Sequence, residues 1–296
     1  GAEAVETALK LARKWAYIVK GIPRYKAEII VASGNFHGRT ISIVSFSSES
    51  QYKQDFGPFT PGFVTVKYGD VSEIAKSINP NTAAVMLEPI QGEAGVIIPP
   101  AGYLAEVKKL CEQNHVLFIA DEIQTGLGRV GKLFACDYEW VRPDIIIIGK
   151  ALGGGYYPVS AILADKAFLG LFAPGDHGST FGGNPLAAAV ARASLRVIRE
   201  EHLIERSAEM GDYFLSRLQT IQSPHVKEIR GRGLLIGIEL NPEAGGARRF
   251  CEALMKERIL AKETHENVIR LAPPLMIDRK TIDWAVPRIK RVLQTR

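Results

Sequence analysis

Two short apolar runs constrain this chain more than any other feature. Residues 116–120 read VLFIA and Ile145–Ile148 reads IIII, both rich in β-branched residues and without polar alternation. Strands buried on both faces of a parallel sheet have this pattern, whereas a strand with one wet face alternates. The first run is followed at once by Asp121, the second by Gly149 and Lys150. Both charged residues are therefore expected at carboxyl ends of strands, where open α/β sheets place their ligands.

A lysine at one strand end and an aspartate at another point to one cofactor chemistry. A lysine amine forms a Schiff base with the aldehyde of pyridoxal 5'-phosphate (PLP). A carboxylate beside the pyridine nitrogen favours its protonated form, which makes the ring an electron sink. Either residue alone reads rather as half of a salt bridge capping a sheet. The pair, each closing an apolar strand and followed by glycine-rich turns, favours PLP. Metal binding has no motif here.

Composition excludes other classes. The chain has 296 residues, 46% hydrophobic and 23% charged, enough for a large core and one or two domains. Its net charge of +5 is dispersed, with no basic run interleaved with aromatics, so nucleic acid is not an expected partner. No apolar stretch is long enough for a membrane span. Cys111, Cys136 and Cys251 are far apart and form no CxxC. They read as reduced core thiols of an intracellular, cytoplasmic protein, with the mitochondrial matrix as the alternative.

Periodicity supplies the elements. A helix is expected over 1–20, with Val5, Ala8, Leu9, Ala12 and Trp15 on one face. Strands are expected at 28–32, 63–66 and 83–87, an antiparallel edge strand at 159–164, and helices at 71–78, 104–113, 185–199 and 202–221. Residues 47–62 read as loop. A composition shift at 222–224 marks a boundary: 1–221 is a large cofactor-binding domain, 222–296 a small α+β domain. Strands at 226–230, 234–239 and 268–271 and helices at 247–256 and 279–292 make up the latter. Arg129 and Lys132 read as surface residues.

Several motifs stand in order along the chain: GNFHGRT (34–40), EPIQGEAG (88–95), ADEIQTGLGRVG (120–131), DIIIIGKALGGGYYPVSA (144–161) and GSTFGGNP (178–185). Together they resemble the class III, PLP-dependent aminotransferases over essentially the whole chain, nearest to members acting on ornithine. In that family a segment carrying part of the small domain precedes GAEAVETALK, so the large domain is expected to be incomplete at its N-terminus.

The resemblance implies fold type I: an α/β large domain with a mostly parallel sheet flanked by helices, plus the small α+β domain. It implies Lys150 as the covalent anchor and proton carrier and Asp121 at the pyridine nitrogen. Gln124 belongs at the phenolic oxygen and Phe36 on the ring face. Gly1 and Ala2 belong to the phosphate loop, which suits a helix start with unclaimed N–H groups. Thr180 reaches the phosphate in a neighbouring subunit, which implies a homodimer with a shared active site. Arg39 is a candidate clamp for a substrate carboxylate, since a guanidinium fork matches it. Glu93 pairs with Arg270, an arginine costly in an apolar strand unless partnered. His37 reads as a supporting hydrogen bonder.

The implied reaction moves the terminal amino group of ornithine to 2-oxoglutarate, giving glutamate 5-semialdehyde and glutamate. Acetylornithine and other ω-amino donors remain open, as does a catalytically silent PLP-fold subunit. A dinucleotide enzyme is disfavoured because no GxGxxG follows the first strand.

Overall fold

The computed structural model describes residues 1–295. They form two compact units. The first comprises Gly1–Pro89, Pro99–Gln124 and Cys136–Arg196, the second Ile90–Ile98, Thr125–Ala135 and the described residues from Val197 onward.

The first unit is built on six strands: β1 (Glu28–Ala32), β2 (Phe63–Val66), β3 (Thr82–Leu87), β4 (Leu117–Asp121), β5 (Ile145–Ile148) and β6 (Ala161–Ala164). They lie in the order β2-β1-β3-β4-β5-β6, parallel throughout except for antiparallel β6. The apolar runs of β1, β3 and β4 feed two cores at once, because successive side chains point to opposite faces. Ile29, Val31, Met86, Ile119, Ile145 and Ile147 pack with Val5, Ala8, Leu9 and Ala12 of helix Ala2–Trp15. Ile30, Val85, Leu87, Phe118 and Ala120 pack with Ile74, Leu104 and Val107 from helices Val71–Ser77 and Tyr103–Gln113. A fully buried Ile or Phe contributes about 1.5–3 kcal/mol; the VLFIA run is held by both layers, whereas the IIII run enters the first core through Ile145 and Ile147.

The first helix and the strand order shape the site. The expected helix over 1–20 is α-helical only to Trp15, then widens to a π-turn over Ala16–Lys20 and stops at Gly21, whose φ is +77°. The chain leaves β1 toward β2 and returns to β3 on the other side of β1. That reversal is a topological switch point, and it opens a crevice between the loops after β1 and β3.

The second unit holds an antiparallel sheet in the order β7-β8-β10-β9: β7 (Val226–Arg232), β8 (Leu235–Leu240), β9 (Lys262–Thr264) and β10 (Val268–Leu271). Helices Leu203–Gln219, Arg248–Lys256 and Arg279–Gln294 bury Phe214, Leu218, Phe250, Leu254, Ile282 and Ile289 against Ile236, Ile238 and Ile269.

The compact units divide the chain differently from the composition shift at 222. Helix Leu203–Gln219 goes with the second unit because Met210, Phe214 and Leu218 are part of that sheet's core. The segments 90–98 and 125–135 join it through Ile90, Val96, Val130 and Ala135, which pack on Leu235. Strand β9 is not among the expected elements: it is three residues long, and Lys-Glu-Thr carries no apolar signal. A short helix, Ser50–Lys53, lies within the expected loop.

Candidate active site

The carboxyl ends of β1, β3, β4 and β5 bring four ionisable residues toward one edge of the first unit. Asp121 is the last residue of β4 and is buried. Its Oδ1 accepts from the N–H of Ile123 at 3.0 Å, and its Oδ2 lies 2.7 Å from His37 Nδ1. His37 comes from the loop after β1 and is buried. Burial works against its charged form, but the hydrogen bond to Asp121 and the charges of Asp121 and Glu88 outweigh this and raise its pKa. His37 Nε2 is buried without a hydrogen-bond partner among the described residues.

Glu88 follows β3 and is buried. Its Oε2 accepts from the N–H of Phe36 at 2.9 Å, which fixes the loop presenting that ring. Desolvation pushes the Glu88 carboxyl up to about 7, helped by Asp121 and opposed by His37, the Phe36 N–H and Lys150. The Tyr68 hydroxyl donates to the carbonyls of Glu88 and Pro89 at 3.0 and 2.9 Å, so this strand end is also held from below. Sequence reasoning does not single out Glu88. The signal is there nonetheless, since it closes an apolar strand just as Asp121 does.

Lys150 follows β5 and Gly149, is exposed, and has φ +42°. A non-glycine residue held there costs on the order of 1–3 kcal/mol and persists only where its surroundings over-determine it. Side-chain room around it is scarce. A Cβ at Gly149 would meet Ile123 at 3.4 Å, and one at Gly1 would meet the same Ile123 at 3.1 Å. A Cβ at Gly38 would meet Ala2 Cβ at 3.0 Å. Thus the start of helix Ala2–Trp15, the loop after β1, and the turns after β4 and β5 close around Ile123 and Ala2. The donor set fits PLP: a helix N-terminus for phosphate, an acidic residue backed by an imidazole for the ring nitrogen, a half-buried aromatic and a reachable amine.

The other expected residues are more scattered. Gln124 is half-buried three residues past Asp121. Arg39 is exposed, its guanidinium 4.3 Å from the Tyr52 ring centre and 5.8 Å from that of Phe36. Thr180 is exposed in the segment before helix Pro185–Glu200. In the second unit Glu93 Oε1 accepts from Arg270 Nη1 at 2.7 Å, with both side chains largely buried. The surface reading of Arg129 is wrong. It is half-buried and donates to the carbonyls of Leu234 and Pro273 at 3.1 and 2.6 Å, and burial lowers its pKa to about 10.

Comparison with known proteins decides the family. The class-III aminotransferase family profile matches residues 1–293. The chain belongs to the class III aminotransferases. Among members of that family, it is 58% identical over 294 residues to the ornithine aminotransferase of Bacillus subtilis (strain 168), covering 99% of this chain and 73% of that one. It is 59% identical over 294 residues to ornithine aminotransferase 2 of Staphylococcus aureus, covering 99% and 74%. The crystal structure of ornithine aminotransferase from Toxoplasma gondii ME49 superposes with a TM-score of 0.97 at 44% identity, over 99% of this chain and 70% of that one. Acetylornithine aminotransferase from Elizabethkingia anophelis superposes with a TM-score of 0.87 at 45% identity, over 99% and 72%. The mostly parallel six-stranded sheet, the separate antiparallel sheet and these neighbours make the fold type I, as the resemblance implies. Among the described residues no helix is long and apolar enough to cross a membrane.

Proposed function

We propose that this class III aminotransferase moves the terminal amino group of ornithine to 2-oxoglutarate, giving glutamate 5-semialdehyde and glutamate. The observation that carries the reaction type is the placing of Lys150 and the His37-backed Asp121 at the ends of adjacent strands. When bound, PLP supplies a carbonyl that takes up an amine covalently and a ring that draws electrons from the bond being broken.

Lys150 is the residue that would hold the cofactor. Its Nζ would then carry the proton from the amine-bearing substrate carbon to the cofactor's carbonyl carbon. Asp121 holds a proton on the ring nitrogen, and His37 fixes the orientation of that carboxylate through the 2.7 Å hydrogen bond. Phe36 would bound the ring face, and Gln124 would donate to the phenolic oxygen. The N–H groups at Gly1 and Ala2 would take the phosphate, where the helix dipole favours an anion.

Arg39 and Arg270 are proposed for substrate carboxylates, with Glu93 covering Arg270 while the donor is an amine. Thr180 is proposed to act in a homodimer, on the phosphate of the neighbouring subunit. The exposed Phe181, Leu186 and Leu195 around its segment support such an interface. A reducing compartment, the cytoplasm, is the proposed location, supported by three buried free cysteines.

A second reading, acetylornithine as donor, is favoured by the likeness to the Elizabethkingia anophelis enzyme. A panel of ornithine, N-acetylornithine and 4-aminobutyrate with 2-oxoglutarate separates them. The highest kcat/KM for ornithine is expected; a higher value for N-acetylornithine would overturn the assignment.

A further inference from the structure

Four residues form a cross-strand row on the sheet of the second unit. Arg230 on β7 stands opposite Gly237 on β8, Gly237 opposite Arg270 on β10, and Arg270 opposite Lys262 on β9. Residues directly opposite in antiparallel strands project from the same face. The row therefore carries three cations and one gap. The loop 92–96 lies in the gap: a Cβ at Gly237 would meet Val96 Cβ at 3.1 Å and the Gly95 carbonyl oxygen at 3.2 Å.

The cations treat that loop in two ways. Arg230 grips its backbone, donating from Nη2 to the Gly95 carbonyl at 2.7 Å and from Nε to the Val96 carbonyl at 3.0 Å. Glu228 and Glu239 hold the guanidinium from the other side. Arg270 and Lys262 instead face the side chain of Glu93. Oε1 is 2.7 Å from Arg270 Nη1, and Oε2 is 3.9 Å from Lys262 Nζ. Arg270 is 13% exposed, Glu93 20% and Lys262 61%.

We propose that Lys262 is a specificity-determining residue: it is the second seat for Glu93 when an incoming carboxylate claims Arg270. This rests on the proposal that Glu93 covers and uncovers Arg270. A carboxylate this poorly hydrated is costly to leave unpaired, so displacing it from Arg270 needs somewhere for it to go. Lys262 Nζ is already within ion-pair range of Glu93 Oε2, at 3.9 Å. Its ammonium rides on a flexible four-carbon stem and can follow Glu93 outward, whereas the planar fork of Arg270 suits the bidentate grip of a ligand carboxylate. Because Arg230 pins Gly95 and Val96, Glu93 can change seats by side-chain rotation while the loop stays put. The like charges of Arg270 and Lys262, opposed on adjacent strands, would repel without the carboxylate between them.

The test is a double-mutant cycle on the holoenzyme with Lys262→Gln, Glu93→Gln and the pair. The probe is glutarate, a dicarboxylate with no oxo group to react, and its Kd is measured by calorimetry. Lys262→Gln alone should weaken glutarate about two- to fivefold, the worth of an exposed ion pair, while kcat/KM of the ornithine half-reaction holds. In the Glu93→Gln background the same substitution should change nothing, because there is no carboxylate left to seat. Equal weakening in both backgrounds would mean that Lys262 acts on the ligand itself, and would overturn the proposal. So would no weakening in either. If Glu93→Gln by itself fails to tighten glutarate, the covering role of Glu93 fails instead, and the two failures are told apart.

Discussion

His37 Nδ1 lies 2.7 Å from Asp121 Oδ2, and neither side chain reaches solvent to any extent. One comes from the loop after β1, the other from the end of β4, two strands away. The hydrogen bond therefore spans the width of β3 and locks the switch-point loop to the strand that presents the acid. Asp121→Asn tests what the charge does. Asparagine keeps the shape and can still accept from Ile123, but it has no charge to hold a proton on the ring nitrogen. The cofactor should stay bound while both half-reactions slow by several orders of magnitude, measured by rapid-mixing absorbance. A variant within an order of magnitude of the parent removes the role from Asp121.

Lys150→Ala should abolish turnover and the borohydride-stable attachment of cofactor to the chain. Lys67 also follows a strand at this edge, but that strand is β2, at the far side of the sheet from β4 and β5, so it is not expected to replace Lys150. Peptide mapping of the reduced protein is the check, and an adduct at another lysine would defeat the assignment.

Glu88 should make stability depend on pH. Its carboxyl is about 7 in the fold against 4.5 when unperturbed, chiefly because burial disfavours the ionised form. The folded state therefore binds the proton more tightly than the unfolded chain, and stability falls as pH rises from about 4.5 through about 7. His37, with its raised pKa, acts in the same direction, its contribution being lost as pH rises through the folded value. Glu88→Gln keeps an acceptor for the Phe36 N–H and removes one of the two titrations. The drop in Tm between acid and neutral pH should shrink in the cofactor-free variant; a drop as steep as the parent's would show that Glu88 does not titrate in this window.

Much of the fold is legible in the sequence because burial on both faces leaves an unambiguous pattern. VLFIA and IIII fit only central strands, and the charged residues at their ends follow. Glu93 with Arg270 comes from motifs and resemblance, and the 2.7 Å contact joins them. Glu88 shows in sequence only as the end of a strand, because one chain does not reveal that Phe36, 52 residues earlier, brings its N–H to that carboxylate. The surface reading of Arg129 fails for a related reason. Its two carbonyl partners, Leu234 and Pro273, lie over a hundred residues away, so local pattern shows only a charged side chain in a glycine-rich turn. The segments 90–98 and 125–135 join the second unit through single apolar residues such as Val96 and Val130, too sparse to leave a period.

Gly211 gives a stability prediction in which two effects oppose. It lies inside helix Leu203–Gln219, where alanine is favoured over glycine by about 1 kcal/mol. A Cβ there, however, would stand 2.3 Å from the backbone carbonyl of Gly233, and Gly233 is itself packed on the Val130 backbone. Backbone cannot swing aside as a side chain can, so the clash should outweigh the propensity gain. Gly211→Ala is expected to lose about 2 kcal/mol or more in urea unfolding. A stabilised variant would mean that the helix shifts freely over the turn.

The last prediction concerns the Glu93–Arg270 pair and the ratio of its two half-reactions. One site must accept an amine donor at its terminal nitrogen and then a 2-oxo acid at its α-carbon. An arginine open throughout would draw carboxylates to the reacting end in both. Glu93 accepts from Arg270 at 2.7 Å; in the proposed switch it would mask Arg270 in the first case, and the oxo acid's own carboxylate would replace it in the second. Breaking a fully buried pair costs about 3–5 kcal/mol, and less here because Glu93 keeps some contact with water. Replacement by a ligand carboxylate is therefore feasible, whereas simple loss is unfavourable. Glu93→Ala leaves Arg270 permanently open to ligand. Reaction at the α-amine, glutamate's included, should rise relative to reaction at the terminal amine of ornithine. The ratio of kcat/KM for the ornithine and glutamate half-reactions, followed by cofactor absorbance, should fall. An unchanged ratio would reduce Glu93 to a structural partner of Arg270.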